Sequence, residues 1–217
     1  MNRKDGEGLV VYTIGHSAHS METFLQLLKQ MGITAIADVR SVPYSRHVPQ
    51  FNKPDIQESL REAGIEYVFL GKELGARPKD CSLYRDDSAD FALMAESTTF
   101  KSGLERVLKG AARYSIALMC AEKDPLDCHR NILVARGLKE LGAVIRHVMS
   151  DGQIEENSDT EQRLLKITNQ LQTDMFVPET STGDPLQMAY EKRGRQIAVS
   201  EEANDEATEK TALRQPA

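Results

Sequence analysis

Apolar residues come in short β-branched runs separated by segments of three-to-four periodicity, and the two kinds alternate along most of the chain. Val10 to Ile14 is such a run, stopping at Gly15-His16-Ser17 as a strand does when it emerges into a tight turn. Ser20 predicts an N-cap for a helix through Gln30, with Phe24, Leu27, Leu28 and Met31 as its inner stripe and Gly32 as its stop. Ile33 to Val39 reads as a second strand. Pro54 at N1 opens a helix through Ala63 that Gly64 ends, and Tyr67 to Leu70 reads as a third strand. Gly71 to Asp90 has no apolar period and is long for a connection, which predicts a functional or mobile loop. Helices follow over Phe91 to Glu96 and Ser102 to Arg113. The run ending at Cys120 predicts a fourth strand, and Ala121 to Asp127 a charged loop held out of helix by Pro125. A helix then begins at an Asp127 cap, carries Val134, Ala135, Leu138 and Leu141 on one face, and stops at Gly142. Ala143 to Met149 is the fifth predicted strand.

Alternation of this kind predicts an α/β fold: an open, mostly parallel, Rossmann-like or flavodoxin-like sheet of about five strands with helices on both faces. After Asp151 the pattern weakens. Leu164, Ile167 and Leu171 make one last helix, and residues 173–217 read as an acidic, largely disordered tail with some helix near Gln187 to Val199. The reading is a single α/β domain over 1–172 followed by that tail. With 217 residues, 40% of them hydrophobic, the chain buries one good core. Its longest apolar runs are strand-length, so no membrane span is expected. Three cysteines without paired spacing and no signal-like N-terminus place it in the reducing cytoplasm. The net charge of −6 falls wholly on residues 153–217. A neutral core does not support nucleic-acid binding by bulk charge; any such contact needs a local basic patch.

The polar residues fall in a telling place. His16, the pair Asp38 and Arg40, and the group Glu122, Cys128, His129 and Arg130 all lie at or just after carboxyl ends of predicted strands, where open parallel sheets bind ligands. His16 is a candidate general acid or base beside Ser17; its bland alternative is a turn histidine bonding its own loop. Asp38 and Arg40 read as an ion pair fixing the loop that carries Arg46, with Arg40 or Arg46 reaching an anion. Cys128, His129 and Arg130 on a first helical turn make an anion seat, where a thiol ionises more readily. Cys128 is thus a candidate nucleophile, against the alternative of a small buried hydrophobe. Glu122 is the candidate general base, against a simple pairing with Arg130. The spacing speaks against a phosphatase-type loop, because neither Arg130 nor Arg136 stands where it needs an Arg beyond Cys128. Cys120 reads as core. Zinc is set aside: Cys120, Cys128 and His129 lack closed-site spacing, and adjacent residues rarely both ligate one ion. No metal and no cofactor is assigned.

Four stretches together resemble a known family: TIGHS (Thr13 to Ser17), DVRSVPYSR (Asp38 to Arg46), GIEYVFLGKELGARP (Gly64 to Pro78) and CAEKDPLDCHR (Cys120 to Arg130). They are similar to the bacterial and archaeal family known as domain of unknown function 488, over roughly residues 9–150. The resemblance implies a compact α/β domain with signature positions at Gly15, His16, Asp38, Arg40, Pro43, Arg46, Glu122, Cys128, His129 and Arg130. Ala76 departs from the pattern, where the family often carries a second Gly after Gly75. No activity comes with the family.

Three readings follow. The first is an enzyme acting on a small anionic or nucleotide-like substrate, with His16, Glu122 and Cys128 catalytic and Ser17, Asp38, Arg40, Arg46, His129 and Arg130 binding. The second is a non-catalytic module that holds a nucleotide or nucleic-acid end in the same crevice. The third is an adaptor working through its acidic tail, with its protein partner unnamed.

Overall fold

A computed structural model describes residues 8–170 and 184–212, with side chains as far as residue 198. In chain order the elements begin with β1 (Val10–Gly15), α1 (Met21–Gln30), β2 (Ala35–Asp38), α2 (Lys53–Glu62), β3 (Glu66–Phe69) and α3 (Gly71–Leu74). A small hairpin, β4 (Tyr84–Arg85) and β5 (Ser88–Ala89), precedes α4 (Phe91–Glu96), α5 (Thr98–Ala111) and β6 (Ile116–Cys120). The chain closes with α6 (Arg136–Glu140), β7 (Val144–Val148), β8 (Ile154–Glu156), α7 (Asn157–Ile167) and α8 (Pro185–Ala212).

The α/β class expected from the pattern is the class observed, with six strands in the main sheet rather than five. Its order is β3-β2-β6-β1-β7-β8, with β8 antiparallel at the edge and the rest parallel. β6 inserts between β1 and β2, so three carboxyl ends stand side by side: Asp38 of β2, Cys120 of β6 and Gly15 of β1. Helices cover both faces. Phe24, Leu27 and Leu28 of α1 pack with Ile56 and Leu60 of α2 against Ile14, Ile36 and Met119. On the other face Phe100, Leu104 and Val107 of α5 and Leu138 of α6 cover Val11, Leu118 and Ile145. Each such side chain contributes roughly 1.5–3 kcal/mol on burial.

Local signals explain the element ends. The Ser20 hydroxyl accepts from Thr23 N at 3.1 Å and caps α1. Gly32, Gly64 and Gly142 take positive φ just past α1, α2 and α6, as helix stops do. The loop expected over Gly71 to Asp90 contains α3 and the hairpin instead, because Leu74 and Ala89 are buried against the core. Of the stretch read as a largely disordered tail, residues 185–212 are helical, and Ala189, Tyr190 and Ile197 are buried against Leu126, Ile132 and Leu164. Leu171 and residues 173–183 lie outside the described residues. No helix among the described residues is long and apolar enough to cross a membrane.

Candidate functional site

The carboxyl edge carries two polar lobes, one on each face of the sheet. On the α1–α2 face, Asp38 is fully buried and receives Arg40 in a bidentate pair, Nε to Oδ1 at 2.9 Å and Nη2 to Oδ2 at 2.7 Å. Tyr67 Oη donates to Oδ2 at 2.8 Å. Burial and the Asp38 carboxylate push the Tyr67 hydroxyl well above its ordinary pKa, so it stays a donor. His16 stacks on Phe51 with ring centroids 4.3 Å apart. Its Nδ1 donates to the Ser17 carbonyl at 2.9 Å, and its Nε2 faces Arg40 Nη1 at 3.3 Å. A guanidinium only donates, so Nε2 is the unprotonated nitrogen. Burial is the largest influence on this ring and lowers its pKa to about 4. His16 is therefore a neutral ring with its lone pair on Arg40.

On the other face the chain leaves β6 and returns through a turn that differs from the expected one. Asp124, not Asp127, caps the first short turn, Pro125–Asp127, by accepting from Leu126 N at 2.8 Å. Cys128 is extended, with φ −138° and ψ 137°, and a π-helical stretch, Arg130–Ala135, runs from there into α6. Cys128 supplies the cap. Its Sγ accepts from Arg130 N at 3.4 Å, and its carbonyl accepts from Asn131 N and Ile132 N at 3.1 and 3.2 Å. The seat expected for an external anion thus holds a sulfur. Arg130, fully buried, turns back to the loop and donates from Nη1 to the Glu122 carbonyl at 2.7 Å and from Nη2 to the Lys123 carbonyl at 3.2 Å. Arg193 of α8 fastens the same turn from outside, bonding the Leu126 carbonyl at 2.8 Å and pairing with Asp127.

The thiols meet here. Cys120, expected to be core alone, is core and also site: its Sγ lies 3.8 Å from His129 Nδ1. His129 Nε2 is 3.0 Å from the Val39 carbonyl, which it can approach only as a donor. Burial raises both thiols, but Cys120 also hydrogen-bonds Cys128, and with the Arg130 guanidinium beside it Cys128 falls below its ordinary pKa. Cys120 rises well above its own. The two thiols titrate as a coupled pair, with Cys128 the more acidic. Burial raises the Glu122 carboxyl, yet the neighbouring Cys128 thiol and His129 ring bring it below its usual range. Among the described residues Glu122 Oε2 is buried without a hydrogen bond of good geometry, as are Arg130 Nε and both polar side-chain atoms of Asn131.

The lobes meet across the sheet edge. Backbone bonds from His16 N to Cys120 O and from Ser17 N to Ala121 O, both 2.9 Å, extend the ladder past the strand ends. Gly15 allows this approach, since a Cβ there would stand 1.8 Å from the Glu122 carbonyl oxygen. His16, Ser17, Asp38, Arg40, Glu122, Cys128, His129 and Arg130 are thus brought to one edge, while Arg46 is exposed on the adjoining loop. Sequence reasoning missed Phe51, Tyr67, Asn131 and the pairing of Cys120 with Cys128. Only the last had a signal: a strand end and the following helical turn come back together in any parallel crossover. The spacing argument against a metal also fails in three dimensions, because ligand atoms of Cys120, Cys128 and His129 lie within 4.8 Å of one another. A cavity of about 440 Å³ beside α4 and α8, lined by Phe91, Arg136 and Tyr190, contains none of the expected site residues.

A model of the family described as Domain of unknown function DUF488 matches residues 20–136, more than half of the chain. The chain belongs to this family. The match takes in Asp38, Arg40 and the whole Cys120–Arg130 turn of this DUF488 protein, while β1 and His16 precede it. No curated protein and no solved structure matches.

Proposed function

We propose that the carboxyl edge of the sheet is the active site of an enzyme acting on a small anionic or nucleotide-like substrate, with Cys128 as its nucleophile. One observation carries this reading: the Cys128 sulfur caps a helical turn, with its pKa lowered and with Cys120, Glu122 and His129 packed around it. A capped thiol of lowered pKa is a stronger nucleophile at neutral pH than an isolated one. The Cys128 thiol passes its proton to the ionised Glu122 as its sulfur attacks an electrophilic centre of the substrate; the bond to the leaving group breaks, and Glu122 returns the proton to that group. Positive charge for an anion comes from Arg46, from Arg130 Nε and from Arg40 Nη1, which internal partners do not saturate. His16, neutral and bonded to Arg40, positions that guanidinium. The binding-only alternative is weakened because Arg40 and Arg130 each commit two N–H groups to internal partners, Asp38 and loop carbonyls. Three free cysteines support a cytoplasmic setting.

The test is iodoacetamide alkylation of chelator-treated, full-length protein against pH, read at Cys128 by mass spectrometry. The expected midpoint lies below the roughly 8.5 of a free thiol, and inorganic phosphate or a nucleoside monophosphate slows the reaction. A Cys128 that reacts only on unfolding, at every pH and with every anion, overturns the proposal.

A further inference from the structure

We propose that Cys120 Sγ, Cys128 Sγ and His129 Nδ1 form a three-donor site for a thiophilic divalent cation of the zinc class, with its fourth position left to an exogenous ligand. This goes beyond the thiol reading, because it stands on donor geometry whether or not Cys128 ever acts as a nucleophile. Tetrahedral zinc, with Zn–S about 2.3 Å and Zn–N about 2.0 Å, sets S···N edges of about 3.6 Å and S···S edges of about 3.8 Å. The Cys120 Sγ to His129 Nδ1 separation is 3.8 Å, and all three ligand atoms fall within 4.8 Å of one another. Only a small contraction brings these three donors to tetrahedral edges.

Two further observations point the same way. His129 donates from Nε2 to the Val39 carbonyl at 3.0 Å, so Nδ1 is the nitrogen turned to the thiols and the one available to a cation. A backbone carbonyl on the far nitrogen is the usual orienting partner of a metal-bound histidine. Glu122 Oε2 is buried with no hydrogen bond of good geometry among the described residues, beside both thiols. Leaving a buried carboxylate oxygen unpaired is costly, and a cation at the thiols would pair it. Two sulfurs and an imidazole select zinc, cobalt(II) or cadmium over magnesium or calcium. With both thiols deprotonated and Glu122 ionised, a divalent ion leaves one negative charge, which lies against the Arg130 guanidinium. The Arg130 N–H on Cys128 survives ligation, because the sulfur has lone pairs to spare. Thiols ligate as thiolates, so binding releases protons and masks Cys128, and the metal would gate the nucleophile.

The test is cobalt(II) titration of reduced, chelator-treated, full-length protein. One equivalent should produce thiolate-to-cobalt charge-transfer absorption in the near ultraviolet and tetrahedral d–d bands in the visible, both abolished by one equivalent of zinc. The same loading should protect Cys120 and Cys128 from a thiol reagent while exposed Cys81 keeps reacting, an internal control. Cys120→Ser and His129→Gln should each weaken cobalt at least tenfold, and Cys81→Ser should leave it unchanged. If a variant fails to fold, the wild-type spectrum and thiol count still decide. No charge-transfer band and no thiol protection would overturn the metal site, as would a full-strength band in folded Cys120→Ser. Alkylation of Cys128 in the metal-free protein judges the nucleophile separately, so the two readings fail by different measurements.

Discussion

Two buried polar clusters lie on the same face of the sheet, one closed and one open. In the closed cluster His147 of β7 accepts from the Thr13 hydroxyl at 2.8 Å through Nδ1 and donates to Asn157 Oδ1 at 3.1 Å through Nε2. Thr13 is its register partner on β1, and Asn157 begins α7, so the ring ties three elements together with both nitrogens used. In the open cluster, around Cys128, Glu122 Oε2, Arg130 Nε and both polar atoms of Asn131 are buried without good partners among the described residues. Native domains leave few such groups, and π-helical stretches such as Arg130–Ala135 gather at functional sites. A polar group that builds the fold is thus separated from polar groups that the fold leaves over. The family match covers the open cluster and stops short of His147 and Asn157.

The strongest way to break this contrast is Arg130→Met. Two charge-assisted bonds of roughly 1.5–3 kcal/mol each hold the Glu122 and Lys123 carbonyls, so urea denaturation should show a loss of about 3–6 kcal/mol. A loss below about 1 kcal/mol would mean the turn holds itself without its buried cation.

Acid comes next. Burial holds both His147 and His16 neutral, each with its pKa lowered to about 4, whereas the unfolded chain protonates near 6.5. Stability from these rings is therefore complete above pH 6.5 and falls as the pH drops towards 4, by about 3 kcal/mol per ring. His147→Gln should remove about half of that fall and leave the Cys128 alkylation profile unchanged. An unaltered acid limb in the His147 and His16 variants would place the sensitivity elsewhere.

A smaller effect sharpens the comparison through its sign. Asn157→Leu leaves His147 Nε2 without an acceptor and should cost about 1–3 kcal/mol. Asn131→Leu removes two unpaired buried groups and should be neutral or stabilising by about 1 kcal/mol. Equal losses in the two variants would dissolve the distinction between closed and open. Least of all, Arg46→Ala on the exposed loop should shift stability by less than about 0.5 kcal/mol. A fall in phosphate affinity in that variant, measured by calorimetry, would assign Arg46 to the ligand.

Much of this was legible in the chain. Helix α1 could be read whole, because its Ser20 cap, its Phe24-Leu27-Leu28 stripe and its Gly32 stop are all local. The gathering of His16, Asp38 and Cys128 at one edge was legible too, because parallel strands put all their carboxyl ends on the same side. Other features were decided elsewhere. Asp127 looked like the cap of the central helix, yet Arg193 of α8 pairs it, and the Cys128 sulfur took the role. Cys120 looked like core because an apolar run ends there; only the return of the chain through Pro125 set its sulfur against His129. Strand order, Phe51 beneath His16, Tyr67 on Asp38 and the docking of α8 all join residues far apart in sequence. Period, caps and stops act over a few residues, so the sequence by itself determined the elements and the edge where the chemistry gathers. Which donors face one another, which are satisfied and which are left over depends on packing across the sheet, and only the tertiary structure decided that.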